Sequence, residues 1–122
     1  MNKYKITAVC AFLGLSLAAT AAHAGAYGKW KRPNGSTAKT WQCKGKLCAE
    51  VTSGDKKGFI MFKKGIPKEG KNTWKGLMNH PSMGSANFNG TVKLVGRELF
   101  VEGCMLGGLI CDEEVWRKEY LN

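Results

Sequence analysis

Turn-forming residues recur so often in this chain that no long helix fits between them. Asn34-Gly35, Lys44-Gly45, Ser53-Gly54-Asp55, Pro67, Glu69-Gly70, Pro81, Gly84, Gly96 and Gly107-Gly108 cut it into short runs. Glycine supplies the positive φ that turns need, proline and asparagine favour turns, and no run between them carries a helical apolar period. Eight stretches of strand length result, at 27–32, 38–43, 47–52, 58–63, 73–79, 86–95, 98–104 and 111–118. Many short strands with such punctuation predict an all-β, antiparallel sandwich or barrel.

Alternation supports the strand assignment in places. Phe88, Val92 and Leu94 fall on one face of their run, with Asn89, Thr91 and Lys93 on the other. Trp30 sits between Lys29 and Lys31, so the indole points one way and two ammonium groups the other. The segment Gly-Phe-Ile-Met-Phe-Lys-Lys from Gly58 is apolar on both faces. Such a strand is either covered on both sides or offers an apolar patch to a partner.

Before Gly25 lies a segment with another purpose. Lys3 and Lys5 form a positive start, an uncharged apolar run spans 6–20, and Ala22-His23-Ala24 places small residues where a signal peptidase reads them. The apolar run is shorter than the ~20 residues a membrane span needs. Cys10 lies inside that run after Val9, out of place for a lipid-bearing cysteine. The sequence therefore predicts a signal peptide over 1–24 and a periplasmic or secreted single domain over 25–122, with no transmembrane segment in the mature protein.

Removing those 24 residues from 122 leaves 98, enough for a small core but not a generous one. Four cysteines remain, as the close pairs Cys43/Cys48 and Cys104/Cys111. In an exported small domain such pairs predict disulfides; zinc is the alternative, but finger-type histidines are missing and an oxidising compartment disfavours free thiolates. Each pair flanks a turn, so local bridges, Cys43–Cys48 and Cys104–Cys111, are the simplest pairing. A crossed pairing such as Cys43–Cys104 closes a longer loop and is the competing solution. Opposing Cys104 to Cys111 sets Glu102 against Glu113, a like-charge pair that a bulge near Gly103 would relieve.

The mature balance is 17 basic residues, after two of the 19 are removed, against 9 acidic ones. That surface favours anionic envelope components as partners. The basic residues are scattered from Lys29 to Lys118, which argues against a dedicated nucleic-acid site.

Catalytic groups are sparse. His80 is the only histidine after residue 24, in an Asn79-His80-Pro81 turn context, with Ser82 too local to suggest a triad. Asp112, Glu113 and Glu114 read as a charged strand end, and Gly107-Gly108 has no lysine or helix after it to cradle a phosphate. No catalytic residue, metal ligand set or cofactor motif is predicted, and the expectation is a binding protein, not an enzyme.

Gly28-Lys29-Trp30 near the start and Trp116-Arg117 near the end together resemble the calycin pattern, in which a Gly-x-Trp meets an arginine at the closed end of a barrel. The stretches CKGKLCAEV, WKGLMNHPSMGSANFNGTVKL and ELFVEGCMLGGLICDEEVWRK are also similar to a bacterial family called domain of unknown function 2147. The resembling positions are Trp30, Cys43, Leu47-Cys48, Trp74, Gly76, Pro81, Gly84, Gly103-Cys104, Cys111, Trp116 and Arg117. The resemblance implies an eight-stranded lipocalin-like barrel, closed by Gly28, Trp30, Trp116 and Arg117. A barrel of that size is either filled by side chains or holds one small ligand. The expected contents are a small apolar or lipid-like molecule lined by Trp30, Phe59, Met61, Phe88, Val92 and Leu94. The alternative is an envelope interaction module that docks acidic partners through the 58–64 segment and its basic rim.

Overall fold

The computed structural model describes residues 25–119, apart from Lys63, Gly84 and Ser85. The expected signal peptide lies outside these described residues. Within them are eight strands: β1 (Gly28–Lys31), β2 (Thr37–Cys43), β3 (Lys46–Val51), β4 (Lys68–Gly70), β5 (Thr73–Asn79), β6 (Asn87–Val95), β7 (Glu98–Met105) and β8 (Ile110–Lys118). They form one antiparallel sheet in the order β3-β2-β1-β8-β7-β6-β5-β4, curled into a nearly closed barrel. Among the described residues no helix is long and apolar enough to cross a membrane.

The two ends of the chain meet in the middle of that sheet. β1 pairs with β8 through Trp30 opposite Lys118 and Lys31 opposite Arg117. Alternation then decides what is inside. In β6 the burial follows a period of two, with Phe88, Gly90, Val92 and Leu94 turned inward. The core gathers Trp30, Trp116, Phe62, Leu47, Ile66, Leu99 and Val92, all fully buried.

Residues 58–62 do not form a strand, which corrects the sequence reading of 58–63. A turn at Asp55–Gly58, with Gly58 at φ +92°, drops the chain into the barrel seam between β3 and β5. Met61 donates its N–H to the Ala49 carbonyl at 3.0 Å and accepts the Asn79 N–H at 2.7 Å, touching both sides of the seam. Leu47 and Ile66 exchange both backbone hydrogen bonds, at 2.9 and 2.8 Å. The segment is apolar on both faces because it is covered on both: Met61 and Phe62 are buried, and Phe62 stacks parallel to Trp116 at 6.4 Å. Of the four apolar residues 59–62, only Ile60 is exposed, at 39%. The strand that sequence reasoning missed, β4, is the exposed tripeptide Lys-Glu-Gly, which carries no alternation to find.

Both disulfides are local. Cys104 and Cys111 lie directly opposite, with their Cα atoms 4.1 Å apart. The register there is straight, so Glu102 does face Glu113, and no bulge near Gly103 relieves the pair. Cys43 and Cys48 are joined as expected, but they are not directly opposite. The turn is only Lys44-Gly45, both at positive φ, as a two-residue hairpin loop requires. Cys43 therefore opposes Lys46, and the bridge to Cys48 runs diagonally across the hairpin over 6.0 Å.

Candidate functional site

One end of the barrel is shut by a cation over an indole. The Trp30 ring is fully buried, and its Nε1–H donates to Thr40 Oγ1 at 2.9 Å. Thr40 in turn donates to the Ala26 carbonyl at 2.6 Å. The Lys118 ammonium lies 4.6 Å from the centre of the Trp30 ring and donates to the carbonyls of Gly25, at 3.2 Å, and Tyr27. Burial pushes the Lys118 ammonium below the usual lysine range. Gly28 must be glycine here: its φ is +135°, and a Cβ would stand 2.8 Å from Lys118 Nζ.

The closure expected from Arg117 is corrected by this geometry. Arg117 is the neighbour of the closing residue and points outward, its side chain 79% exposed and 3.5 Å from Glu98. Successive strand residues face opposite sides, so only one of Arg117 and Lys118 can reach the indole. Trp116 is fully buried in the same core but packs elsewhere in it, with Phe62 on its face and Glu114 at its Nε1.

A cavity of about 180 Å³ lies within the barrel wall between β5, β6, β7 and β8. Its apolar lining includes Met61, Met78, Met83 and Met105, every methionine of the chain except Met1, together with Phe88 and Val101. Missing side chains make room for Met78 at the cavity's edge. Gly76, Gly90 and Gly103 stand in one register row across β5, β6 and β7, and that row ends on Asp112 of β8. A Cβ on Gly90 would meet Met78 Cε at 2.4 Å, and one on Gly103 would meet Met78 Sδ at 3.3 Å. The Met78 thioether lies where those side chains would have been.

One side of the cavity is polar, formed by His80, Ser82, Asp112 and Glu114. His80 Nδ1 accepts the Ser82 N–H at 3.2 Å and the Ser82 hydroxyl at 2.6 Å, capping the short turn Pro81–Met83. In the neutral ring the proton is therefore on Nε2. That atom is buried and lies 3.5 Å from Asp112 Oδ2 and 3.3 Å from Glu114 Oε2, with no aligned hydrogen bond to either. Glu114 is held on every side. Arg32 Nε and Nη2 grip its two oxygens at 3.1 and 3.0 Å, and Trp116 Nε1 donates to Oε1 at 2.8 Å. Burial alone would raise its pKa, but the Arg32 and Trp116 hydrogen bonds and the nearby positive charge outweigh this and hold it below the usual carboxylate range.

His80, Asp112 and Glu114 have the donor atoms a metal ion would need, all within 4.8 Å of one another. Arg32 already fills the cation's place beside Glu114, so a metal would have to break a bidentate, buried pair. On the other side of His80 and Asp112 lies a polar cleft of about 800 Å³ whose lining adds Asp55, Lys56 and Glu113. His80, Ser82, Asp112 and Glu114 line both spaces.

No protein-family model and no curated protein matches this chain. A solved structure, protein HP1028 from the human pathogen Helicobacter pylori, which is described as belonging to the lipocalin family, superposes with a TM-score of 0.58. The match covers 77% of this chain and 82% of that one, at 13% identity. The fold is lipocalin-like. At that identity the likeness concerns the fold alone.

Of the six residues expected to line a ligand in this lipocalin-like barrel, Met61 and Phe88 reach the cavity. Trp30, Val92 and Leu94 are packed in the core, and Phe59 lies half-buried against it. Alternation correctly turned Val92 and Leu94 inward, but it does not say which inward positions border empty space. The polar mouth was missed because its members look ordinary in sequence: a turn histidine, a strand-end acidic run, and Arg32 beside a Pro-Asn-Gly turn. The methionines were the available signal, since all four fall in segments that the sheet brings together.

Proposed function

We propose that this protein binds a small apolar or amphipathic molecule, with its apolar part among the methionines and its polar part at the His80–Asp112 mouth. The observation that carries this is the apolar cavity of about 180 Å³ adjoining a polar cleft, with His80, Ser82, Asp112 and Glu114 lining both. An apolar cavity of roughly 150 Å³ is enough to take up benzene. The ligand's buried part is thus a ring or a short alkyl segment, not a whole lipid. Methionine suits such a site because its unbranched thioether repacks around different shapes at low cost. The lipocalin-like fold supports the same conclusion.

The role is binding, not catalysis. Ser82, His80 and Asp112 do form a hydroxyl–imidazole–carboxylate line, but both Ser82 donors converge on one nitrogen of a residue two positions away. That is the geometry of a capped turn. The two disulfides and the segment before Gly25 fit an exported, periplasmic or secreted, protein. The resemblance to the domain of unknown function 2147 family, read from the sequence, points to the same compartment.

Titration with the neutral fluorescent probe N-phenyl-1-naphthylamine tests the proposal. Saturable binding is expected, and Gly103→Val should weaken it at least tenfold by filling the cavity while the fold persists by circular dichroism. An absence of binding, or equal binding by the variant, overturns it.

A further inference from the structure

We infer that the ligand carries a cationic, amine-type head, an inference that rests on the cavity being a ligand site. The charge around the mouth is opposite to that of the whole protein. The chain as a whole carries a formal +10. The cavity and its cleft hold four carboxylates, Asp55, Asp112, Glu113 and Glu114, against Arg32 and Lys56.

Nor is Arg32 free to receive an anion, and Lys56 lines the cleft but not the cavity. Arg32 is 5% exposed, with Nε and Nη2 on Glu114 and Nη1 on Ser36 at 3.0 Å. Its positive charge is turned inward and neutralised. His80 directs its Nε2 at Asp112 and Glu114 and uses Nδ1 to cap its own turn. Lys56 stands beside Asp55 on an exposed loop. Asp112 differs from all of these. Its side chain is 68% exposed, it lines both the cavity and the cleft, and its ion-pair contact is the long one to His80.

A molecule whose tail enters among the methionines therefore leaves its head beside Asp112. There a carboxylate or phosphate would meet like charge, and an ammonium would meet its complement. The protein's overall positive charge does not reverse this, because at physiological salt charges more than about 8 Å apart are largely screened. The mouth thus selects against fatty acids, the ligand first expected of a lipocalin-like barrel, and in favour of short-chain or ring-bearing amines.

Competition against bound N-phenyl-1-naphthylamine by octylamine, octanol and octanoate, on the intact protein at neutral pH, separates the possibilities. The three share one tail and differ in head charge. Octylammonium is expected to displace the probe about tenfold more tightly than octanoate, with octanol between them. Asp112→Asn is expected to cut the amine's affinity about fivefold, the scale of one exposed ion pair, and to leave octanol unchanged. Equal or tighter binding of octanoate overturns the inference and leaves the cavity as a ligand site. So does an amine affinity that Asp112→Asn does not alter. Failure of all three to displace the probe removes the proposed site and the inference together.

Discussion

Lys118 lies with its ammonium 4.6 Å above the Trp30 ring, joining the last strand of the chain to the first. Its neighbour Arg117 makes an exposed contact with Glu98 instead. The two cations should therefore respond very differently to truncation. Lys118→Met keeps the stem but loses two charge-assisted hydrogen bonds and the cation–π contact, and should cost about 2 kcal/mol. For a domain of this size that lowers Tm on the order of 10 °C. Arg117→Ala should stay within about 0.5 kcal/mol of the parent. Thermal melts of both variants check the contrast.

Gly28 and Lys118 should be coupled. Gly28→Ala places a methyl at positive φ and against Nζ, and is expected to destabilise by roughly 1–3 kcal/mol. Part of that cost is the collision with Lys118. In the Gly28→Ala/Lys118→Met double variant the two losses should sum to less than their parts, as contacting residues do. Strict additivity in urea titrations would place the whole cost in the backbone of Gly28.

Acid should weaken the protein through Glu114. Its folded pKa is depressed, so its stabilising contribution is present above the ordinary carboxylate value and is lost as pH falls through the depressed one. Glu114→Gln leaves the buried Arg32 without its bidentate partner and should cost about 3–5 kcal/mol at pH 7. The gap between parent and variant should narrow as pH falls below the ordinary carboxylate value, where the unfolded parent binds a proton that the folded parent still resists. Melts of both proteins from pH 7 to pH 2.5 give the measurement; a gap independent of pH would sink the assignment.

The disulfides should separate stability from binding. Each closes a small loop, and its removal should cost on the order of 2 kcal/mol. Cys104–Cys111 stands between two cavity-lining register pairs, Met105 opposite Ile110 and Gly103 opposite Asp112. Cys43–Cys48 sits on the β2–β3 hairpin and touches no lining residue of the cavity. Replacing Cys104 and Cys111 by serine should reduce affinity for N-phenyl-1-naphthylamine as well as stability. The same change at Cys43 and Cys48 should reduce stability alone.

Local chemistry made the strands and both disulfides legible, because turns and alternation act over a few residues. The same logic failed where packing is long-range. Phe59–Phe62 has β-forming residues, yet it spans the seam as irregular chain because it meets β3 and β5 from inside the barrel. Arg117 and Lys118 are adjacent cations, and only the one-residue phase of β8 against β1 decides which reaches Trp30. Arg32 and Glu114 are 82 positions apart, and no local pattern announces that they meet. The cavity was legible only in part, because period two identifies inward residues but not the places where too few of them fill the space.

Gly90 and Gly103 give that cavity an adjustable size. A methyl restored at either position meets Met78, which must then move toward the space it borders. Under the proposed function, ligand size and ligand charge fall to different residues, the glycines for one and Asp112 for the other. A change in one need not disturb the other.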